Sequence, residues 1–457
     1  MRTPKSFYSL GLQESRSAAT RLILMQIRDV VSDPVFPVIC LIDGVERSWH
    51  YDHLKEAIDA EWVNGNLDCL TLPDQCDLCI VSDEFNSQST VLMLEASRRG
   101  IPTLHIVDGI IEWRNCWENP RSQTEHHGMP LLMPVLADKI ACIGRSQARI
   151  LEAWGNRGKC EVIGVPRFDR LLGRTPRVRQ DGPFRLLIMT AKTPGFTDEQ
   201  IAIARRSLVD LKAWIESYNH SSHIPIRPIW RVTAGLSNDL CVPNELRDTT
   251  GADLATVLSD VDAVITTPST AILESMLYDL PVAVLDYTNS PQFVAAAWSV
   301  SCREHLDQVV RELICPPQSK RLHQKSLLCD HLECHTPATP RLVTLIREML
   351  RWSQHRSAVE RSNRLPFRIL PNDDGENSSR EQTVDFSLLF PEHSVFAETD
   401  LVRLQAELGH VRLALKSKTE ELAPFLRMLR RMEANPLTRS ALWLRRQFVR
   451  RVWSGER

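Results

Sequence analysis

Between Asp262 and Tyr287 the chain reads D-A-V-I-T-T-P-S-T-A-I-L-E-S-M-L-Y-D-L-P-V-A-V-L-D-Y, an order that few folds accommodate. Ala263 to Ile265 is an apolar run too short for anything but a buried strand. Thr266, Thr267, Pro268, Ser269 and Thr270 are cap-type residues around a proline, the usual opening of a helix. Ile272, Leu273, Met276 and Leu277 then recur at helical spacing, and Leu280 to Leu285 is a second apolar strand. The pattern is a β-loop-α-β unit with a hydroxyl-rich turn at the carboxyl end of its first strand. Ligands of open parallel sheets bind at that end. A helix start also presents free N–H groups and a positive dipole end to phosphate. Ser269 and Thr270 add hydroxyls, and Glu274, one turn further in, is placed to accept from ribose hydroxyls. The plainer reading is an ordinary unit whose Thr and Ser only cap the helix, and local chemistry alone leans that way.

The same alternation runs through most of the chain. Strands are expected at Pro37–Ile42, Leu78–Val81, Pro102–Val107, Lys139–Ile143 and Glu161–Ile163. Helices are expected at Asp52–Ala60, Thr90–Arg99 (closed by Gly100) and Gln147–Trp154. Further along, strand Phe184–Met189, helix Glu199–Ser217, an extended segment Ile224–Val232 and helix Asp253–Leu258 lead into the unit above. Helices Glu304–Leu313 and Arg341–Trp352 follow it. Strands alternating with helices of this length predict parallel α/β architecture. The 457 residues suffice for two such domains and an extension.

Composition narrows the function classes. Hydrophobic content of 43% and charged content of 25% are ordinary for a soluble globular chain. A net charge of -2 gives no general pull toward nucleic acid or a membrane, and no nucleic-acid motif is visible. No apolar run reaches the roughly 18 residues of a spanning helix, and M-R-T-P-K-S-F-Y-S-L-G-L lacks an apolar signal core. A cytoplasmic location is the default expectation. The 12 cysteines mostly sit in apolar strand contexts, as buried reduced thiols do. Cys76 and Cys79 have C-x-x-C spacing but run into a strand rather than opening a helix, so neither a redox nor a zinc role is expected. Cys329, His331, Cys334 and His335 form a denser cluster, yet no second ligand pair supports it, and no metal is expected.

Strands ending at Asp43, Asp83 and Asp108 place carboxylates where parallel sheets gather functional groups, although Asp and Gly also simply make turns. Asp108 opens D-G-I-I-E-W-R-N-C-W-E-N-P-R, which holds Glu112, Trp113, Arg114, Asn115 and Trp117, with His126 and His127 soon after. Arg suits carboxylate or phosphate and Trp suits a sugar ring or a base. A surface helix with tryptophans turned inward is the equal alternative. The turn T-A-K-T-P-G-F after the first strand of the second half carries Lys192, which is either a phosphate ligand or a solvent-exposed lysine. Asp286 to Gln292 is a further strand-end loop expected to line a cleft.

Two of these stretches carry a resemblance. The Asp262–Tyr287 unit resembles the donor-nucleotide segment of GT-B glycosyltransferases, although Pro268 and Ser269 stand where that superfamily often has glycines. D-G-x-x-E-W-R-N, with A-D-K-I-A-C-I-G-R-S-Q (Ala137–Gln147), W-G-N (Trp154–Asn156) and V-I-G-V-P-R-F-D (Val162–Asp169), is similar to bacterial surface-carbohydrate glycosyltransferases. The resemblance covers roughly residues 36 to 352. It implies two Rossmann-like domains with parallel sheets facing across a cleft: an acceptor domain at 36–171, a linker at 172–183 and a nucleotide-sugar domain at 184–352. The final helix would return to the first domain. The implied chemistry is metal-independent sugar transfer from a nucleotide-activated donor to a saccharide or lipid-linked acceptor, with the donor as substrate and no cofactor. Thr267, Ser269, Thr270 and Lys192 would hold the departing diphosphate and Glu274 the ribose. Asp108, Glu112 or Asp83 would be the base of an inverting reaction, and Trp113, Arg114, Asn115 and His126 would line the acceptor side. A non-hydrolysing sugar-nucleotide epimerase, a glycerophosphate transferase and a catalytically degenerate scaffold of the same fold are the alternatives.

Residues 1–35 are weakly patterned, with one expected helix at Ser17–Val31, and 353–397 read as a disordered linker around the polar stretch Asn372–Thr383. Residues 398–457 form a helical tail. A heptad pattern over 401–432 allows self-association, and the arginine-rich 427–457 allows peripheral contact with an anionic membrane.

Overall fold

The computed structural model describes residues 36–42, 51–65, 70–120, 130–173, 182–247, 253–355 and 365–371, together with parts of a helix within 409–428. The expected helix at 17–31, Asp43, and most of the 401–457 tail lie outside the described residues.

Two wholly parallel sheets form. The first comprises β1 (Val38–Leu41), β2 (Glu61–Asn64), β3 (Leu78–Val81), β4 (Thr103–Ile106), β5 (Lys139–Cys142) and β6 (Cys160–Val162), in the order β2-β1-β3-β4-β5-β6. Helices α1 (Asp52–Ala57), α2 (Ser87–Arg99) and α3 (Arg145–Leu151) connect them. The second sheet contains β7 (Phe184–Met189), β8 (Ile226–Arg231), β9 (Ala263–Thr266), β10 (Val282–Leu285) and β11 (Trp298–Val300), in the order β11-β10-β9-β7-β8. Its helices are α4 (Asp198–Ser221), α5 (Ala234–Asp239), α6 (Leu254–Leu258), α7 (Ala271–Leu277), α8 (His305–Ile314), α9 (Gln318–His331) and α10 (Ala338–His355). The expected pair of Rossmann-like domains is therefore what the chain forms. Each sheet reverses its winding once, between β1 and β3 and between β7 and β9.

The central strands are short runs buried on both faces, as parallel strands covered by helices must be. In the first sheet Cys40, Cys79 and Cys142 turn toward α2 residues Leu92 and Met93. Ile39, Leu41, Ile80 and Leu104 turn the other way, against Leu342, Leu345, Ile346 and Met349 of α10. The last helix thus returns to the first domain. Two strands escape sequence reading: β2 is a half-exposed edge strand and β11 has three residues. The polar helix α9, which buries only Gln324 and His331, escapes it too.

The crossing between α9 and α10 ties the domains together. A Cβ on Gly144 would lie 2.2 Å from the His331 carbonyl oxygen, and one on Gly164 would lie 2.6 Å from that of Glu333. Gly164 also has φ +97°, which glycine adopts without penalty. Glu333 N–H donates to the Ile143 carbonyl (2.8 Å). Asp169 then caps α10, accepting from Ala338 N–H (2.6 Å) and Thr339 N–H (2.8 Å).

Part of the stretch read as a disordered linker is docked instead. Helix α10 continues to His355, and residues 365–371 lie on the first domain. There Glu161 accepts from the N–H groups of Ile369 (2.8 Å) and Leu370 (3.2 Å), and Lys139 donates to the Phe367 carbonyl (2.9 Å). Lys139 and Glu161 form a buried ion pair at 2.9 Å. Leu365, Ile369 and Leu370 add apolar contact, which composition alone, dominated by the polar run further on, does not convey.

The close approach at Gly144 gives a test. Gly144→Ala must push the crossing segment away and is expected to cost about 2 kcal/mol or more. Gly235→Ala, in a helix with nothing within 4 Å, is expected to be neutral or to stabilise by about 0.5–1 kcal/mol. Urea unfolding of both variants checks this.

Candidate functional site

The turns after β7, β8 and β9 are joined by threonine hydroxyls. Thr233 N–H donates to Thr190 Oγ1 (3.1 Å), and Ala191 N–H donates to Thr267 Oγ1 (2.8 Å). Thr266 Oγ1 and Ser269 Oγ share a hydrogen bond of 3.2 Å. These turns sit at the carboxyl ends of β7 and β9, where the winding of the second sheet reverses, the place such sheets bind ligands. Lys192 is exposed on the first of them. Thr267 is buried, and its oxygen holds the Lys192 turn in place.

Glu274 lies on the short helix α7, half-buried. Burial pushes its carboxyl above the usual range, while Arg167, Arg170 and Arg231 pull it back. Asp253 acts with burial. Of these cations, Arg170 is paired with Asp253 (2.9 Å) and Arg167 donates to the Asp108 carbonyl. The guanidinium groups of Arg167, Arg170 and Arg231 thus all act on the Glu274 carboxyl beside the β7–β9 turns. Sequence reading missed these arginines, because they come from the segment after β6 and from the end of β8.

The first domain meets this region directly. Thr270 Oγ1 accepts from Ile110 N–H (3.2 Å), and a Cβ on Gly109 would be 2.5 Å from that oxygen. Gly109 is therefore what lets the two loops touch. Gln200 Nε2 donates to Glu118 Oε2 (2.6 Å) across the same boundary. Asp108 itself is exposed at the end of this loop.

Glu112 and Arg114 form an ion pair, and Arg114, only 3% exposed, lies 3.9 Å from Asp286 and donates to the Pro194 carbonyl (3.4 Å). Asp286 is 5% exposed at the carboxyl end of β10. Burial raises the pKa of Glu112, opposed by the charge of Arg114. The loop Asp286–Gln292 does reach the domain boundary. With Ile110, Ile111, Glu112, Arg114 and Pro268 it borders a cavity of about 10 Å³, room for one water.

Trp113 stacks on Trp117 (5.1 Å between ring centres), and Phe293 of the second domain sits against Trp113 (6.1 Å) and Trp154 (5.4 Å). Trp113 Nε1 donates to Glu118 Oε1 (3.1 Å), and Asn115 Oδ1 accepts from Asn119 (2.9 Å). Asp83 is half-buried and accepts from Phe85 N–H (3.2 Å), shaping the turn into α2. Its neighbour Glu84, fully buried, accepts from the N–H groups of Leu136 (2.7 Å) and Ala137 (3.3 Å). Glu112 and Arg114 thus border the interdomain cavity, whereas Asp83, Trp113 and Asn115 are not among the residues bordering it. His126 lies outside the described residues.

The cluster around His331 is not assembled as a ligand set. His331 Nε2 accepts from Ala295 N–H (3.2 Å), so Nδ1 carries the proton and donates to Ser146 Oγ (2.8 Å). Burial lowers its pKa and keeps it neutral. Among the described residues no helix is long and apolar enough to cross a membrane. In the described part of the tail, Val411, Leu415, Leu422 and Met428 are exposed.

No protein-family model matches the chain, and no curated protein matches it in sequence. Solved structures do align with it. An S. aureus MnaA–UDP co-structure is 15% identical with a TM-score of 0.47, covering 69% of this chain and 97% of that one. The wall teichoic acid polymerase TagF is 11% identical with a TM-score of 0.44, covering 76% and 100%. A glycotransferase of kitacinnamycin is 13% identical with a TM-score of 0.42, covering 70% and 100%.

The buried Glu112–Arg114–Asp286 group has a measurable consequence. Because the fold raises the pKa of Glu112, the stability tied to its protonated form is present below pH 4.5 and is lost as pH rises through the folded value. Arg114→Met removes the charge that offsets burial. It should cost about 3 kcal/mol at neutral pH, and the cost should shrink as pH is lowered toward 4.5. Urea unfolding across that range measures it.

Proposed function

We propose that this chain transfers a sugar from a nucleotide-activated donor to a saccharide or lipid-linked acceptor in bacterial surface-polysaccharide synthesis. One observation carries the reading. The winding reversal of the second sheet faces the first domain, and beside it Glu274 is set among Arg167, Arg170 and Arg231. That field suits a departing diphosphate without a metal ion. Thr267, Ser269, Thr270 and Lys192 supply further hydroxyl and ammonium donors, and Glu274 accepts from the ribose.

The acceptor hydroxyl attacks the anomeric carbon, the bond to the phosphate oxygen breaks, and the nucleoside diphosphate leaves. Glu112 takes the acceptor proton, with Arg114 holding it in place. Its raised pKa brings it closer to the operating pH, which suits a general base. Asp108 is the exposed second candidate for that proton, and Trp113 and Asn115 flank the acceptor side.

The test is thermal-shift binding of UDP, GDP, CDP, ADP and CMP, followed by product analysis with the matching nucleotide sugars. One nucleotide is expected to raise Tm, by an amount equivalent to about 2.7 kcal/mol at a hundredfold excess over Kd. The shift should fall in Glu274→Ala and in Arg231→Met. No shift with any of them at saturating concentration overturns the site and leaves the scaffold reading. A nucleotide sugar epimerised without acceptor overturns transfer while keeping the site.

A further inference from the structure

Far from the site described above, three sulfurs converge in the first domain. Cys40 on β1 and Cys79 on β3 are register partners in adjacent parallel strands, and both face the same core layer. Cys76, in the loop before β3, brings its sulfur to 3.7 Å from that of Cys79. All three sulfurs lie within 4.8 Å of one another. Among the described residues this is the one group of three potential ligands within reach of a single ion.

Buried free cysteines that serve only as small apolar side chains have no reason to aim their sulfurs at one point. A tetrahedral thiolate site does. Zinc–sulfur bonds of about 2.3 Å at tetrahedral angles set neighbouring sulfurs roughly 3.8 Å apart, the spacing that Cys76 and Cys79 already have. We infer that Cys40, Cys76 and Cys79 form a trithiolate site for one zinc ion.

The surroundings suit such an ion. Cys40 and Cys79 are fully buried and Cys76 is half-buried, so the ion reaches the site from the Cys76 side and its fourth position opens there. Arg99 donates to the carbonyls of Pro73 (2.7 Å) and Asp74 (2.6 Å), which fixes the loop carrying Cys76. It also sets a positive charge beside that loop, against the net negative charge of three thiolates and a divalent ion. Cys76 precedes the amino end of β3, whereas the proposed chemistry lies at carboxyl ends. The role is therefore structural: the ion clips β1, β3 and the loop before β3 together. Sequence spacing could not show this, since Cys40 lies on a different strand, well before the C-x-x-C pair.

The test is elemental analysis of full-length protein, reduced, loaded with zinc and dialysed against buffer without chelator. About one zinc per chain is expected. Cys76→Ser should lower zinc affinity by about tenfold or more. Cys241→Ser, at an exposed cysteine outside the cluster, should retain the ion. Cobalt-loaded wild-type protein should show a thiolate-to-cobalt charge-transfer band, a readout that needs no variant to fold. Zinc-free wild-type protein, zinc retained unchanged in Cys76→Ser, or cobalt binding without that band overturns the proposal.

Discussion

The structure depends most on one close crossing. The chain leaves the second domain at His331 and reaches α10 only by passing over Gly144 and Gly164 of the first. At both places backbone meets backbone at distances that admit no side chain. Once there, the segment is held from both sides. His331 is fixed by Ser146 and Ala295, Glu333 by Ile143, and the start of α10 by Asp169. A rigid crossing sets how the two sheets face each other. The carboxyl ends of β4 and of β7, β9 and β10 meet across the boundary because this strap allows little else.

That geometry brings polar groups into places that cost energy. Arg114 serves Glu112, Asp286 and the Pro194 carbonyl while almost wholly buried. A buried group of charges is weak evidence for stability, since desolvation consumes much of the attraction. Its value here is positional. It fixes the β10 end against the loop after β4, so a ligand seated on one domain meets groups of the other. The Ile110–Thr270 bond makes the same connection at the start of α7. The cavity between these loops has room for about one water, so nothing larger enters there unless that contact parts.

Legibility followed burial. Strands such as β3, β5, β9 and β10 are short, mostly apolar runs with turn chemistry at their ends, so their existence could be read, and their bounds to within about two residues. Gly100 closes α2 in the left-handed conformation its position demands. The edge strand β2 and the polar helix α9 carry no such signal, because solvent on one side removes the pattern. Sequence reading singled out Glu112, Arg114 and Glu274 where one segment holds its own chemistry, and the structure sets Glu112 and Arg114 at the domain boundary. The site was not legible where partners come from separate segments. Arg167 and Arg231 beside Glu274, and Cys40 beside Cys76 and Cys79, are products of topology. Similarly, Gly144 and Gly164 in the motifs that carry the resemblance turn out to serve the crossing, and Asp169 to cap α10.

The charge pattern around Glu274 also bears on how the second domain works. An isolated half-buried carboxylate would repel a diphosphate. Here Arg167, Arg170 and Arg231 offset its charge. In the proposed function that carboxylate would select hydroxyl donors while its neighbours select phosphate, so one small surface would discriminate both parts of a nucleotide. Two of those arginines, Arg167 and Arg170, stand on the segment after β6, on either side of Asp169, which caps α10. The strap that orients the domains is therefore anchored beside the segment that supplies the field. A change in the angle between the sheets would alter the electrostatics around Glu274 at the same time.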